Sequence, residues 1–97
     1  MGFNRFKYRI KGIFYSGRTG TRWQEVSDLK YDRLVGCLCS FDPEKVEQFN
    51  GIRLFLKDHP YHSWWETTAV IQLSMDFDGN YVVETINTIY VFEEVKE

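Results

Sequence analysis

No run in this 97-residue chain approaches the roughly 18–20 consecutive apolar residues that a bilayer-spanning helix needs. Low-complexity tracts, internal repeats and Pro- or Ser-rich linkers are also absent, so residues 1–97 read as a single domain with one modest core. Cysteine is scarce. The two present, Cys37 and Cys39, stand one residue apart, too tight a loop for an easy mutual disulfide. That excludes a disulfide-stapled scaffold and fits a reducing compartment. The N-terminus "MGFNRFKYRIKG" is basic but has no following apolar h-region, so no secretory signal is read. Met1-Gly2 opens like a myristoylation site, yet Phe6 stands where Ser or Thr is needed. A cytoplasmic location is expected.

Acidic residues are missing from the first 22 positions, which hold Arg5, Lys7, Arg9, Lys11, Arg18 and Arg22. All fourteen acids and the other six Lys/Arg follow, so a net charge of only −2 hides a basic segment joined to an acidic body. Such asymmetry marks either an electrostatic binding surface or a basic strand paired with acidic neighbours.

Aromatics, by contrast, are plentiful: three Trp, six Tyr and eight Phe. A core this small does not easily hide them all.

The segment 4–15, "NRFKYRIKGIFY", alternates Phe6, Tyr8, Ile10 with Arg5, Lys7, Arg9, Lys11 and predicts a strand with a cationic face. "SGRTGTR" (16–22) is turn chemistry, and 21–26 reads as a short returning strand. Ser27 is the expected N-cap of a predicted helix over 28–40, with Asp28 suiting its first turn and Tyr31, Leu34, Val35 and Leu38 at helical spacing. Asp42-Pro43 opens a second, with Val46 and Phe49 as its stripe and Asn50-Gly51 as its stop. "IRLFLK" (52–57) alternates as a strand.

Asp78-Gly79 is a strong two-residue turn signal. Centred there, "WETTAVIQLSMDF" and "YVVETINTIYVFEE" form a long hairpin pairing Trp65 with Phe92 and Ile71 with Ile86. The predicted architecture is α+β: an antiparallel sheet of about four strands with two short helices on one face, in the order β-α-α-β-β-β.

"DHPYHSWW" (58–65) poses the main chemical question, because His59 and His62 could join Cys37 and Cys39 around zinc. On a helix the two cysteines would sit about 200° apart and could not share an ion. The favoured reading is therefore inert thiols and loop histidines, with no cofactor and a zinc-stabilised domain as an alternative. Cys–His nucleophilic catalysis has the residue types but no local signature. Glu66 lacks a second carboxylate for acid–base work. "DFDGN" lacks the calcium-loop pattern, and "SGRTGTR" lacks phosphate-loop spacing.

In the predicted hairpin, Trp65 points inward and Trp64 either stands outside, near Ile89, Val91 and Glu93, or folds back to cap the end of the sheet. Trp and Tyr are enriched at interface hot spots. The expectation is a non-enzymatic protein that binds another protein stoichiometrically, as an inhibitor or adaptor. Small phage and mobile-element proteins that block host nucleases share this character, an analogy of type carried by no motif. Trp64, Tyr61 and Phe55 are the expected apolar anchors, with Arg5, Lys7, Arg9 and Lys11 setting charge complementarity. The alternative is a nucleic-acid-binding module using the basic strand, although the acidic body would repel that ligand. Exposed edge strands also leave room for a homodimer.

Overall fold

The computed structural model describes residues 5–96. The Met1-Gly2 reading, and the first residue of the strand predicted over 4–15, lie outside the described residues. Within them the chain forms seven strands: β1 (Tyr8–Tyr15), β2 (Leu38–Cys39), β3 (Arg53–Lys57), β4 (Trp64–Glu66), β5 (Val70–Met75), β6 (Tyr81–Thr85) and β7 (Thr88–Glu94). All pair antiparallel in one sheet of order β4-β3-β2-β1-β7-β6-β5.

The α+β expectation is overturned. Among the described residues the helical elements are two three-residue 3-10 turns, Leu29–Tyr31 and Pro43–Lys45. Capping is present but propagation fails. The Asp28 carboxylate accepts from the Lys30 N–H and that of Asp42 from the Glu44 N–H. Arg33 and Gly36 then take left-handed backbone, with φ of 60° and 92°, which no right-handed helix accommodates. The chain instead joins β1: the Gly36 N–H donates to Ile10 O (2.7 Å) and the Ile10 N–H to Cys37 O (3.0 Å). In the second segment Val46 is already extended. Phe49, not Asn50-Gly51, adopts the left-handed conformation (φ 71°), and its N–H donates to Val70 O (2.7 Å). A short helix nucleus is costly, and pairing with an existing strand satisfies the same backbone groups. The return over 21–26 is only a single bridge, Phe14 with Glu25.

The strand order implies a rolled sheet. β4 and β5 occupy opposite ends of the order but are consecutive in the chain, joined by Thr67–Ala69. Laid flat, seven strands would put them about 29 Å apart at roughly 4.8 Å spacing. The link from Glu66 to Val70 reaches at most about 14 Å. The sheet therefore curls until its ends meet. The segment before β3 seals the seam: the Thr67 N–H donates to Ile52 O and the Val70 N–H to Asn50 O, both at 2.9 Å. Inside lie Ile10, Ile13, Leu34, Cys39, Phe41, Leu54, Leu56, Val83, Tyr90 and Phe92, with Phe41 and Phe92 stacked at 4.1 Å.

The long C-terminal hairpin is also corrected. β5 and β6 pair about a sum of 156, as in Leu73 with Val83, one residue off the predicted 157. The loop has three residues rather than two: the Asp76 N–H donates to Asn80 O (2.9 Å), and Gly79 takes φ 84° at the end of the turn. The second predicted strand breaks in two at Ile86-Asn87, where the Thr85 hydroxyl accepts from the Thr88 N–H (3.1 Å). β7 then lies between β6 and β1, while residues 64–66 pair with β3 instead.

Candidate binding face on the edge hairpin

The candidate site is the outer face of the β3–β4 hairpin. The alternation of "IRLFLK" sends Leu54 and Leu56 into the core and leaves Arg53, Phe55 and Lys57 outside. The register places Phe55 beside Trp64 and Arg53 beside Glu66. Trp64 is 47% exposed and Phe55 40%. Its neighbour Trp65 points the other way, packs against the core and donates from Nε1 to the Tyr90 hydroxyl (3.0 Å). Trp64 is thus outside, as alternation requires, but beside Phe55 and not near Ile89, Val91 and Glu93.

Both outer rings carry a cation. The Arg5 guanidinium lies 4.7 Å from the Phe55 ring centroid and that of Arg53 4.5 Å from the Trp64 ring, inside the ~6 Å range of cation–π attraction. A guanidinium held over a ring keeps its N–H donors for a carboxylate. Arg53 spends one of them, weakly, on Glu66 at 3.4 Å. The cationic surface continues across the sheet. Lys57 and Arg9 flank Leu38 on the outer face, Arg9 reaches Glu93 (3.6 Å), and exposed Lys7 lies two residues before Arg9. Lys11 is set apart on the β1 bulge, where its charge helps hold the Asp76 carboxyl below the usual range. Tyr61, 67% exposed, stands at the loop end of the hairpin.

The basic N-terminal segment is partly neutralised by cross-strand acids. Besides Arg9–Glu93, Arg22 makes a bidentate contact to Glu84 at 2.7 and 2.8 Å, which pulls the Glu84 carboxyl down. Arg53 and Lys57 were not singled out by sequence reasoning, although the same alternation that buries Leu54 and Leu56 places them on this face.

Cys37, Cys39, His59 and His62 are not gathered. Among the described residues no three or more His, Cys, Asp or Glu side chains converge. The predicted helix that separated the cysteines is replaced by an extended segment that buries both. The Cys37 thiol donates to Lys57 O at 3.3 Å. Burial pushes the Cys39 thiol up to about 12, the opposite of an activated nucleophile. His59 is committed to the backbone: Nδ1 accepts from the Tyr61 and His62 N–H groups at 3.1 Å each, and Nε2 lies 3.0 Å from Asp32 O. That pattern calls for a bare Nδ1 and a protonated Nε2. It ties the hairpin loop to the segment after the first 3-10 turn.

A pocket of about 300 Å³ beside β1, lined by Ile13, Val26, Tyr31 and Val35 among others, is at the small end for a ligand site. Among the described residues no helix is long and apolar enough to cross a membrane. No family model, no curated protein and no solved structure matches the chain.

Proposed function

We propose that this protein is a non-enzymatic binding protein, an inhibitor or adaptor that docks on another protein through the outer face of β3 and β4. One observation carries the proposal: two exposed aromatic rings stand side by side on an edge hairpin, each under an arginine. Large rings bring contact area at low rotamer cost, and aromatic residues and arginine are both enriched at interfaces. With Arg5, Lys7, Arg9 and Lys57 around the rings, the complementary surface is acidic.

Direct binding of single-stranded nucleic acid is the second reading, favoured by the same cations. Two features weigh against it. Each outer ring already has a guanidinium over it, and Arg9 and Arg53 already face Glu93 and Glu66.

The test is affinity capture from the native cell with wild type and Trp64→Ala, Phe55→Ala and Arg53→Ala, each checked for native circular dichroism. Protein docking predicts that folded variants lose a stoichiometric protein partner. Retained capture by all three would refute the face. Tight binding to DNA or RNA that weakens steeply with salt would move the assignment to the second reading.

A further inference from the structure

We propose that two copies of this chain associate through β5, extending the sheet across a two-fold axis at Ser74. This surface is distinct from the β3–β4 face. Edge strands in monomers are usually blunted by charge, proline or a covering segment. β5, "VIQLSM", has no charge and no proline. Among the described residues, only its first part is covered. Phe49 and Asn50 bond to Val70, and the Gln48 side chain donates to Ile71 O (3.1 Å). Beyond Ile71 the seam ends.

The backbone polarity of the open part follows from the turn. The Asp76 N–H points inward to Asn80, so by alternation Gln72 and Ser74 face β6 while Leu73 and Met75 direct N–H and C=O outward. Among the described residues, no backbone bond beyond the strand ladders uses those outward groups. An antiparallel second copy that satisfies both residues pairs Leu73 with the other copy's Met75, and Ser74 with Ser74. Apolar side chains then meet apolar ones on one face, and small polar ones meet on the other.

An independent feature fits the same register. Phe77 is fully exposed at the hairpin tip, an unusual position for so large an apolar side chain. In this pairing it falls opposite the other copy's Ile71. Ile71 lines a pocket of about 310 Å³ with Val46, Gln48, Val70 and Leu73. Each copy would seat its phenylalanine there, and two such contacts close a symmetric interface.

The register also puts Gln72 opposite the other copy's Asp76, so changes at one exposed position should act in opposite directions. Sedimentation equilibrium of wild type should show a reversible dimer. Gln72→Glu should raise its Kd about tenfold, since two like-charge contacts form per dimer. Gln72→Lys should lower it. Phe77→Ala should raise it, and Trp64→Ala should leave it unchanged. A chain that stays monomeric up to about 1 mM, the limit of an interaction worth about 4 kcal/mol, overturns the proposal. So does a dimer indifferent to Gln72, or one moved in the same direction by both charges.

Discussion

Truncating each of the adjacent indoles to alanine should have unequal effects on folding, because β4 puts them on opposite faces. Trp65 packs against the core and with Tyr31 and His62, and its Nε1 satisfies the buried Tyr90 hydroxyl. Trp→Ala in a core costs about 3–5 kcal/mol. Trp65 is only partly buried, which favours the lower end, and the Tyr90 hydroxyl keeps its bond with Thr88 when the indole is removed. The cost is about 3 kcal/mol, a large part of the roughly 5–15 kcal/mol that keeps a domain folded. Trp64 loses a cation–π contact worth about 0.5–1 kcal/mol and a cross-strand pair worth about 0.2–1 kcal/mol. Its loss should total about 1–1.5 kcal/mol. At roughly 4–8 °C per kcal/mol, Trp64→Ala should lower Tm by about 5–10 °C and Trp65→Ala by at least about 12 °C. Urea and thermal unfolding followed by far-ultraviolet circular dichroism would measure both without relying on indole fluorescence. Equal losses, or a larger one at Trp64, would refute the assignment of faces and with it the candidate binding surface.

Two further outcomes follow from the titrating groups. The Asp76 carboxyl is held below its usual range first by the Asn80 N–H and then by the Asn80 side chain and the Asp78 N–H, and that of Glu84 by Arg22. Folded values below unfolded ones mean that this stabilisation is fully present at neutral pH. It is lost as pH falls from about 4 through the folded values, so urea midpoints should drop there, and the drop should flatten in Asp76→Asn with Glu84→Gln. The Cys39 thiol, fully buried and raised to about 12, should resist alkylation at pH 8 except through unfolding, so its labelling should track the unfolding rate as urea is added. Prompt labelling of Cys39 in native protein would contradict the burial.

Much of the strand content was legible because alternation is local. "IRLFLK" and the β1 segment could be read directly, and so could the divergence of Trp64 from Trp65. The helices were misread because windows such as 28–40 and 42–51 are too short to separate a 3.6-residue period from turns punctuated by strand bridges. Asp42 caps as expected, Asp28 caps in place of Ser27, and each holds one turn. What stopped them is non-local: β1 at Gly36 and Cys37, and Val70 at Phe49. The hairpin slipped by one because Asp-Gly serves a three-residue loop as well as a two-residue one, and Asp76 and Asn80 decide between them. The pairing of Phe55 with Trp64 was beyond sequence reasoning. It depends on β4 leaving the C-terminal hairpin for β3, a choice made by the closure of the whole sheet.

The central strand of the order, β1, pairs with β7, the first strand of the described residues with the last. During synthesis the first strand must wait, unpaired on that side, until nearly every other residue has been made. Folding should therefore be slow for so small a domain, and vulnerable in the interval to chaperone capture and aggregation. A premature stop before β7 would disable the middle of the sheet and not its edge.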